Sequence, residues 1–291
     1  MACGIIIIDK PADWTSQDVA ARLRGVFHER RIGHGGTLDP MATGVLPIFV
    51  GRATRGVEFF ESAEKEYVAG LRLGVETNTQ DTTGEVLAEK PVSVTREQVE
   101  EVLRTFLGPQ EQVPPMYSAV KIGGKKLYEL ARQGKTVERK ARKIEILELE
   151  LLDGSDADWR IRVHCSKGTY VRTLCHDIGQ ALGCGGCMSA LRRTMAGCYG
   201  LDRAVTMDEI IAMEDPESRL LPVDSMFDRL PSYTVHENQL RAVFNGAAVK
   251  ASALTDGDYR VYCPDGTFLM LGRAEKGMLK TVKSFFEVTK S

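Results

Sequence analysis

Between Gly33 and Pro47 the chain reads GHGGTLDPMATGVLP, where one carboxylate, Asp39, stands among glycines and small side chains. Gly33, Gly35 and Gly36 can take dihedrals that other residues avoid and let another backbone approach closely. Pro40 fixes the backbone immediately after the acid. A carboxylate so little screened is reachable by a large ligand and, when ionised, can act as a nucleophile. The same composition also suits a Gly/Pro-rich turn whose Asp caps a backbone group. A second cluster, Cys165-Ser-Lys-Gly-Thr-Tyr170-Val-Arg172, offers a guanidinium. Brought beside Asp39, it would favour the ionised carboxylate; left alone, such an Arg is usually a solvated surface residue. The third candidate is Tyr67 in Lys65-x-Tyr67, on a stretch whose alternation equally suits a core aromatic.

These residues need elements to hold them. Gly4 to Ile8 reads as a short buried strand ended by Asp9-Lys10-Pro11, and Thr15/Ser16 offer an N-cap for a helix through Phe27 with Val19, Leu23 and Val26 on one face. Val45 to Val50 predicts another buried strand, followed by a helix around Arg55 to Glu61. Lys65 to Leu73 alternates, with Tyr67, Ala69, Leu71 and Leu73 on one side. Thr95-x-x-Gln98 is a capping box for a helix that stops at Gly108, and Thr206-x-x-Glu209 is a second. Lys143 to Leu152 and Asp158 to Ser166 predict a hairpin turning at Asp153-Gly154, and Val171 to Leu182 a helix closed by Gly183. After Pro231 come a short helix near Glu237 to Phe244 and short β segments separated by Asp-Gly turns. A domain boundary is therefore expected near Leu230, giving units 1–230 and 231–291.

With 43% apolar and 27% charged residues in 291, the composition is that of a globular protein with a substantial core. No apolar run approaches the roughly 20 residues that span a bilayer, and the N-terminus lacks the pattern of a signal peptide. The expectation is a soluble, cytoplasmic protein with no membrane association. Cys184-Gly-Gly-Cys187 has metal-like spacing but no second pair to complete a zinc site, so two reduced thiols are expected. Gly123-Gly124-Lys125 lacks the rest of a phosphate-loop pattern. A net charge of −2 argues mildly against nucleic acid, yet Lys121 to Lys143 carries nine Lys/Arg against two Glu. Such a patch suits phosphate contacts. A helix from Lys126 to about Gln133, stopped by Gly134, would present bases on its outer sides.

The block around Asp39 resembles the catalytic motif of the bacterial TruB-type tRNA pseudouridine synthases, in which the Asp is essential. Cys165 to Arg172 resembles the family's KGTY-x-R segment, which implies that Arg172 pairs with Asp39 and that Tyr170 packs in the active site. Lys65-x-Tyr67 matches a family Tyr that stacks on the flipped uracil and is implicated in proton transfer at carbon 5. His34 resembles the histidine that fills the space vacated by the base, although an ordinary hydrogen-bonding role suits it too. Asp9-Lys10-Pro11 resembles the first family motif, with Asp13 where glycine is usual, so the turn after it is in doubt. Pro114 to Lys121 resembles the PPxYSAxK segment, and Leu191-Arg192-Arg193-Thr194 the LRRT segment whose Leu lines the uracil pocket.

The resemblance implies an α/β (α+β) fold: a mixed, largely antiparallel sheet of pseudouridine synthase type with a small C-terminal PUA-like β module. It implies isomerisation of uridine 55 in the tRNA T arm by base flipping and attack by Asp39. Catalytic roles fall to Asp39, Tyr67 and Arg172, and substrate binding to His34, Lys10, Tyr170, Leu191, Lys121, Lys125 and Lys126. No metal, organic cofactor or protein partner is implied, and a monomer is expected. The segment 121–143 resembles an RNA-gripping insertion of the stand-alone enzymes. This speaks against a guide-RNA-dependent, ribosomal-RNA-directed relative of the Cbf5/dyskerin type. A catalytically idle RNA-binding or RNA-folding protein would have little use for Asp39, Tyr67 and Arg172 together.

Overall fold

The computed structural model describes residues 2–286. β1 (Gly4–Lys10) runs past the expected Ile8 and is buried along nearly its whole length. α1 (Ser16–Val26) starts where Thr15 accepts from the Asp18 amide and Asp18 returns the bond, which satisfies two otherwise free donors. β2 (Ile32–His34) and β3 (Thr43–Val50) flank the Asp39 loop, and α2 (Val57–Glu61) follows a 3-10 segment over Gly51–Gly56. β4 (Lys65–Leu73) buries Lys65, Tyr67, Ala69, Leu71 and Leu73, the alternation read from the sequence.

A ribbon of β5 (Val75–Thr77) and β6 (Val86–Glu89) precedes α3 (Arg96–Thr105), whose Thr95/Gln98 capping box is formed. That helix ends at Thr105 with Phe106 as its C-cap, short of the expected Gly108, which instead, at φ +90, opens an unanticipated edge strand, β7 (Gly108–Gln112). The basic segment folds as a hairpin of β8 (Lys121–Ile122) and β9 (Lys125–Lys126) leading to α4 (Leu127–Ala131). The expected helix here is thus shorter and begins one residue later.

β10 (Arg142–Ser155) and β11 (Asp158–Cys165) form the expected hairpin, but it turns at Asp156-Ala157, since Gly154 pairs with Trp159 inside the ladder. α5 (Val171–Ala181) then leads to β12 (Gly186–Ala196), a strand that periodicity did not reveal. β13 (Tyr199–Gly200), β14 (Val205–Thr206) and α6 (Met207–Ala212) complete the large unit.

The main sheet runs β14-β1-β3-β12-β4-β11-β10-β7, with β2 on β3 and β13 on β12. Only β1–β14 and β3–β12 pair in parallel, so the sheet is mixed and largely antiparallel. One face packs α1, α3 and α5 into a continuous core that includes Leu46, Leu71, Ile161 and Leu174. On the other face, Ile7, Phe49 and Phe60 join Phe227, Leu271 and Phe285 in a second cluster.

The C-terminal sheet contains β15 (Ser232–Thr234), β16 (Val249–Lys250), β17 (Gly257–Tyr262), β18 (Phe268–Glu275) and β19 (Met278–Ser284). Its strand order is β15-β17-β18-β19-β16, with α7 (Glu237–Phe244) packed near β16, and this curled sheet fits a PUA-like module. Phe227, Phe268 and Phe285 hold it against the large unit, together with hydrogen bonds from Arg55 to Ser284.

Candidate active site

The Asp39 loop is tied down from three sides. Ser16, the first residue of α1, accepts from the Leu38 amide at 2.9 Å. The Asp13 amide donates to the Pro40 carbonyl at 2.9 Å. Asp13 holds φ +65, so the turn where glycine is usual keeps a left-handed residue despite the side chain. The Lys10 ammonium, fully buried, donates to the carbonyls of Pro11, Trp14 and Pro40 at 2.8, 2.6 and 3.1 Å. Burial lowers its pKa to about 8. Lys10, expected to touch substrate, thus spends its donors inside the protein and braces the chain beside Asp39.

The motif glycines separate into distinct roles. Gly36 and Gly44 have φ +99 and +98, where L side chains are strained. A Cβ on Gly44 would stand 2.1 Å from the Arg193 carbonyl oxygen, and one on Gly35 2.6 Å from the Phe60 ring. Gly33 needs neither left-handed backbone nor close approach, contrary to expectation: a Cβ there meets Val57 at an ordinary 3.6 Å.

Arg172, second residue of α5 and 6% exposed, reaches Asp39 with Nε–Oδ2 at 2.9 Å and Nη2–Oδ1 at 3.4 Å. Its other N–H groups go to the Thr79 carbonyl at 3.1 Å, the Asp81 carboxylate at 3.4 Å and the Tyr117 carbonyl at 2.8 Å. The four Nη N–H groups of the guanidinium therefore have acceptors, and Nε stands in ion-pair contact with Asp39. Fork geometry of this kind fixes a carboxylate in direction as well as in charge. Burial nevertheless pushes the Asp39 carboxyl above the usual carboxylate range, with Arg172 pulling it back and Asp81 adding to the rise. The guanidinium limits the shift but does not reverse it, as the sequence had suggested it would.

Asp81 is the functional residue that sequence reasoning missed. It is 4% exposed, and its Oδ1 accepts from the hydroxyls of Thr79 and Thr83 and from the Thr83 amide. Gln80 beside it holds φ +64 and accepts from Thr173 of α5 at 2.7 Å. The run of Thr and Asn around a single Asp was its one sequence signal, since such residues fold loops by bonding their own backbone. Gln112 was missed as well: its amide oxygen accepts from the Tyr170 amide and its nitrogen donates to the Tyr170 carbonyl, at 2.8 and 3.1 Å. This edge-strand residue sets the turn before α5. Tyr170 itself is half-buried.

Tyr67 and Leu191, each 9% exposed, lie on the same face of neighbouring strands, since β4 and β12 pair Tyr67 with Arg193 and Ala69 with Leu191. They present an aromatic ring and an aliphatic side chain to the same core face as Asp39's partner helix. Burial raises the Tyr67 phenol and nearby Arg193 lowers it. His34 on β2 is half-buried, its Nδ1 has no hydrogen-bond partner among the described residues, and burial followed by Arg193 lowers its pKa, so it is neutral near pH 7.

Lys121, Lys125 and Lys126 lie on the β8–β9 hairpin of the basic segment. Lys121 and Lys125 are exposed, and the Lys126 and Arg132 cations lie 5.3 and 5.5 Å from the Tyr128 ring centre. The segment connects to the centre through its root, where Leu127 and Tyr128 donate to the carbonyls of Val120 and Ser118, one residue beyond Tyr117. Among the described residues the cysteines are free thiols, most of them buried, and no group of His, Cys, Asp and Glu is placed to hold a metal ion.

The model for the N-terminal domain of TruB family pseudouridylate synthases matches residues 24–171, and the C-terminal domain model of tRNA pseudouridylate synthase B matches 172–228. The chain belongs to the TruB family. A tRNA pseudouridine synthase B of Syntrophomonas wolfei is 47% identical over 93% of both chains. One of Azoarcus is 43% identical over 95% of this chain and 93% of its own. A Cbf5-Nop10-Gar1 complex contains a chain of the same fold, TM-score 0.75 at 28% identity, covering 98% of this chain and 85% of the other. This TruB-family protein is therefore a pseudouridine synthase, an isomerase, and no helix among its described residues is long and apolar enough to cross a membrane.

Proposed function

We propose that this enzyme isomerises uridine 55 in the T arm of tRNA, as a stand-alone monomer in the cytoplasm, with no guide RNA and no cofactor. Two observations support tRNA as substrate: the names of the curated relatives and the basic segment 121–143. The observation that carries the chemistry is the Asp39–Arg172 fork, 2.9 Å at its short arm, inside a loop braced by Lys10 and Ser16. The target uridine leaves its stack, and stacking on apolar and aromatic side chains offsets that loss. Tyr67 and Leu191 supply those surfaces, and neutral His34 fills the space the base leaves. Asp39, ionised beside Arg172, attacks the nucleotide, and the C–N glycosidic bond breaks. The uracil turns, carbon 5 bonds to the sugar, the bond to Asp39 breaks to regenerate the carboxylate, and the carbon 5 proton departs toward Tyr67. Tyr170 closes the site at the head of α5, and Lys121, Lys125 and Lys126 hold phosphates. Catalytic and RNA-binding units are proposed to divide near Leu230.

Purified protein incubated with unmodified tRNA transcript alone should convert uridine 55, read by mapping of pseudouridine. Conversion only after a guide RNA is added would assign the protein to the guide-dependent class. Asp39→Asn should abolish turnover and leave tRNA affinity within about threefold, because phosphate contacts dominate binding.

A further inference from the structure

Arg193 is the largest fully buried side chain, 1% exposed, and forms no ion pair among the described residues. An unpaired cation in a core is costly, and an apolar side chain of similar size would be cheaper. Its Nε donates to the Val45 carbonyl at 2.6 Å and its Nη2 to the Gly36 carbonyl at 3.2 Å, one on each side of Asp39 along the loop. In the β4–β12 ladder it stands directly opposite Tyr67, so the two side chains lie on the same face, and its charge acts on the Tyr67 hydroxyl. The other ionisable groups around that hydroxyl are Cys165 of β11 and Asp39. Around Arg193 itself lie Lys10, Lys65 and His34, none of which neutralises it. Two carbonyl bonds alone would not need a permanent charge at this place.

We propose that Arg193 is a positioning residue for the isomerisation: opposite Tyr67 in the ladder and tied to the loop on both sides of Asp39, its guanidinium is the fixed cation against which the Tyr67 hydroxyl is set for proton transfer. This rests on the assignment of Asp39 and Tyr67 to the reaction. Once carbon 5 has bonded to the sugar, it carries both the sugar and its original hydrogen. The C–H electron pair becomes the C5–C6 double bond while the bond it displaces at C6 gives its electrons up: the N1–C6 π pair moves onto N1, which takes a proton from solvent, or, if Asp39 had added to C6, the C6–O pair returns to the carboxylate. The C5 proton passes to the Tyr67 phenolate oxygen, and the phenol later gives it to solvent. A fixed cation beside that oxygen stabilises the phenolate and sets its direction. Burial works against the phenolate, and Arg193 is the group that opposes burial.

The test compares Arg193→Gln and Arg193→Lys in the full chain by single-turnover conversion of tRNA at saturating enzyme, from neutral to alkaline pH. The Gln variant should bind tRNA within about twofold of wild type yet lose about 100-fold in rate at neutral pH, in the range of a misplaced proton-transfer group. That loss should shrink as pH rises, because the phenol ionises without help, and Tyr67→Phe in the same chain should remove the alkaline recovery. Arg193→Lys, which keeps the charge, should retain at least about tenfold more activity than Gln and rise over the same pH range as wild type. A loss in the Gln variant that is equal at every pH, or a recovery that persists in Tyr67→Phe, would reduce Arg193 to a structural tie and overturn the proposal. If the Gln variant fails to melt cooperatively, the Lys variant decides: a rate rise displaced from that of wild type overturns it. Wild type runs alongside, and its failure to convert tRNA would refute the assignment of the site rather than this inference.

Discussion

Replacing Arg172 with Met removes the guanidinium and keeps most of the side-chain volume. Asp39 then loses its contacts at 2.9 and 3.4 Å, and Asp81 loses its partner at 3.4 Å while keeping Thr79 and Thr83. Burial has already raised the Asp39 carboxyl, with Arg172 the main opposing charge. Loss of a close opposite charge raises a carboxyl by a further 1–3 units or so. The reactive form is the carboxylate, so activity falls as pH drops through the raised pKa. In the Met variant that descending limb should move to higher pH by about 1–3 units, with each unit costing roughly tenfold in rate below it.

Stability runs the other way. A carboxyl whose pKa is higher in the folded state stabilises fully below its unfolded value, and that contribution is lost as pH rises through the folded one. The Met variant should therefore gain melting temperature on mild acidification while its rate falls. Single-turnover rates at saturating tRNA, across acidic to alkaline pH, read the limb. Arg172→Lys separates charge from direction: it should shift the limb less than Met yet stay slow throughout, since a lysine cannot serve the five acceptor contacts of the fork. A Met variant with an unmoved limb would show that Arg172 does not govern the ionisation of Asp39.

Gly44→Ala should destabilise by more than about 3 kcal/mol in urea melts, because a left-handed residue and a Cβ 2.1 Å from the Arg193 carbonyl leave no local relief. Gly33→Ala, in the same motif, should change stability by no more than about 0.5 kcal/mol, and a large loss there would contradict the open space beside Val57. Lys10→Met leaves carbonyls of Pro11, Trp14 and Pro40 without their donor and should cost about 1–3 kcal/mol of stability. It should slow turnover with tRNA affinity kept, whereas weakened affinity as the main effect would restore a substrate contact. Neutralising Lys125, Lys126 and Arg132 together should weaken tRNA binding and lower its salt dependence by about one slope unit per lost phosphate contact. An unchanged salt slope would leave the segment 121–143 as a solvated face.

The elements that follow one physical rule were legible. The capping boxes at Thr95 and Thr206 and the alternation of Lys65 to Leu73 need only local chemistry, and they stand where the sequence puts them. Placing Asp39, Tyr67 and Arg172 in one site required the family resemblance, because they come from a loop, a strand and a helix far apart in the chain. The Arg172 partners Thr79, Asp81 and Tyr117 are mostly backbone atoms and one loop carboxylate, which carry no periodic signal. The rise in the Asp39 pKa could not be read either, since it depends on how completely three elements enclose the acid.

β12 shows why the least legible strand is also the one at the centre of the site. Its partners β3 and β4 flank it on both sides, so both edges of its backbone are used and its inward face should read apolar. Leu191 obeys that rule, but two residues on, at the next inward position, stands Arg193, 1% exposed. Arg192 points the other way and pairs with Asp9 at 2.7 Å. A strand whose inward positions alternate between Leu and Arg breaks the hydrophobic pattern, and the β bulges after Met188 and Arg193 break its register as well. Departures of this kind collect where function overrides foldability. Here the broken pattern marks the guanidinium that joins the Asp39 loop to Tyr67, so the failure of the pattern is itself the signal that β12 carries more than packing.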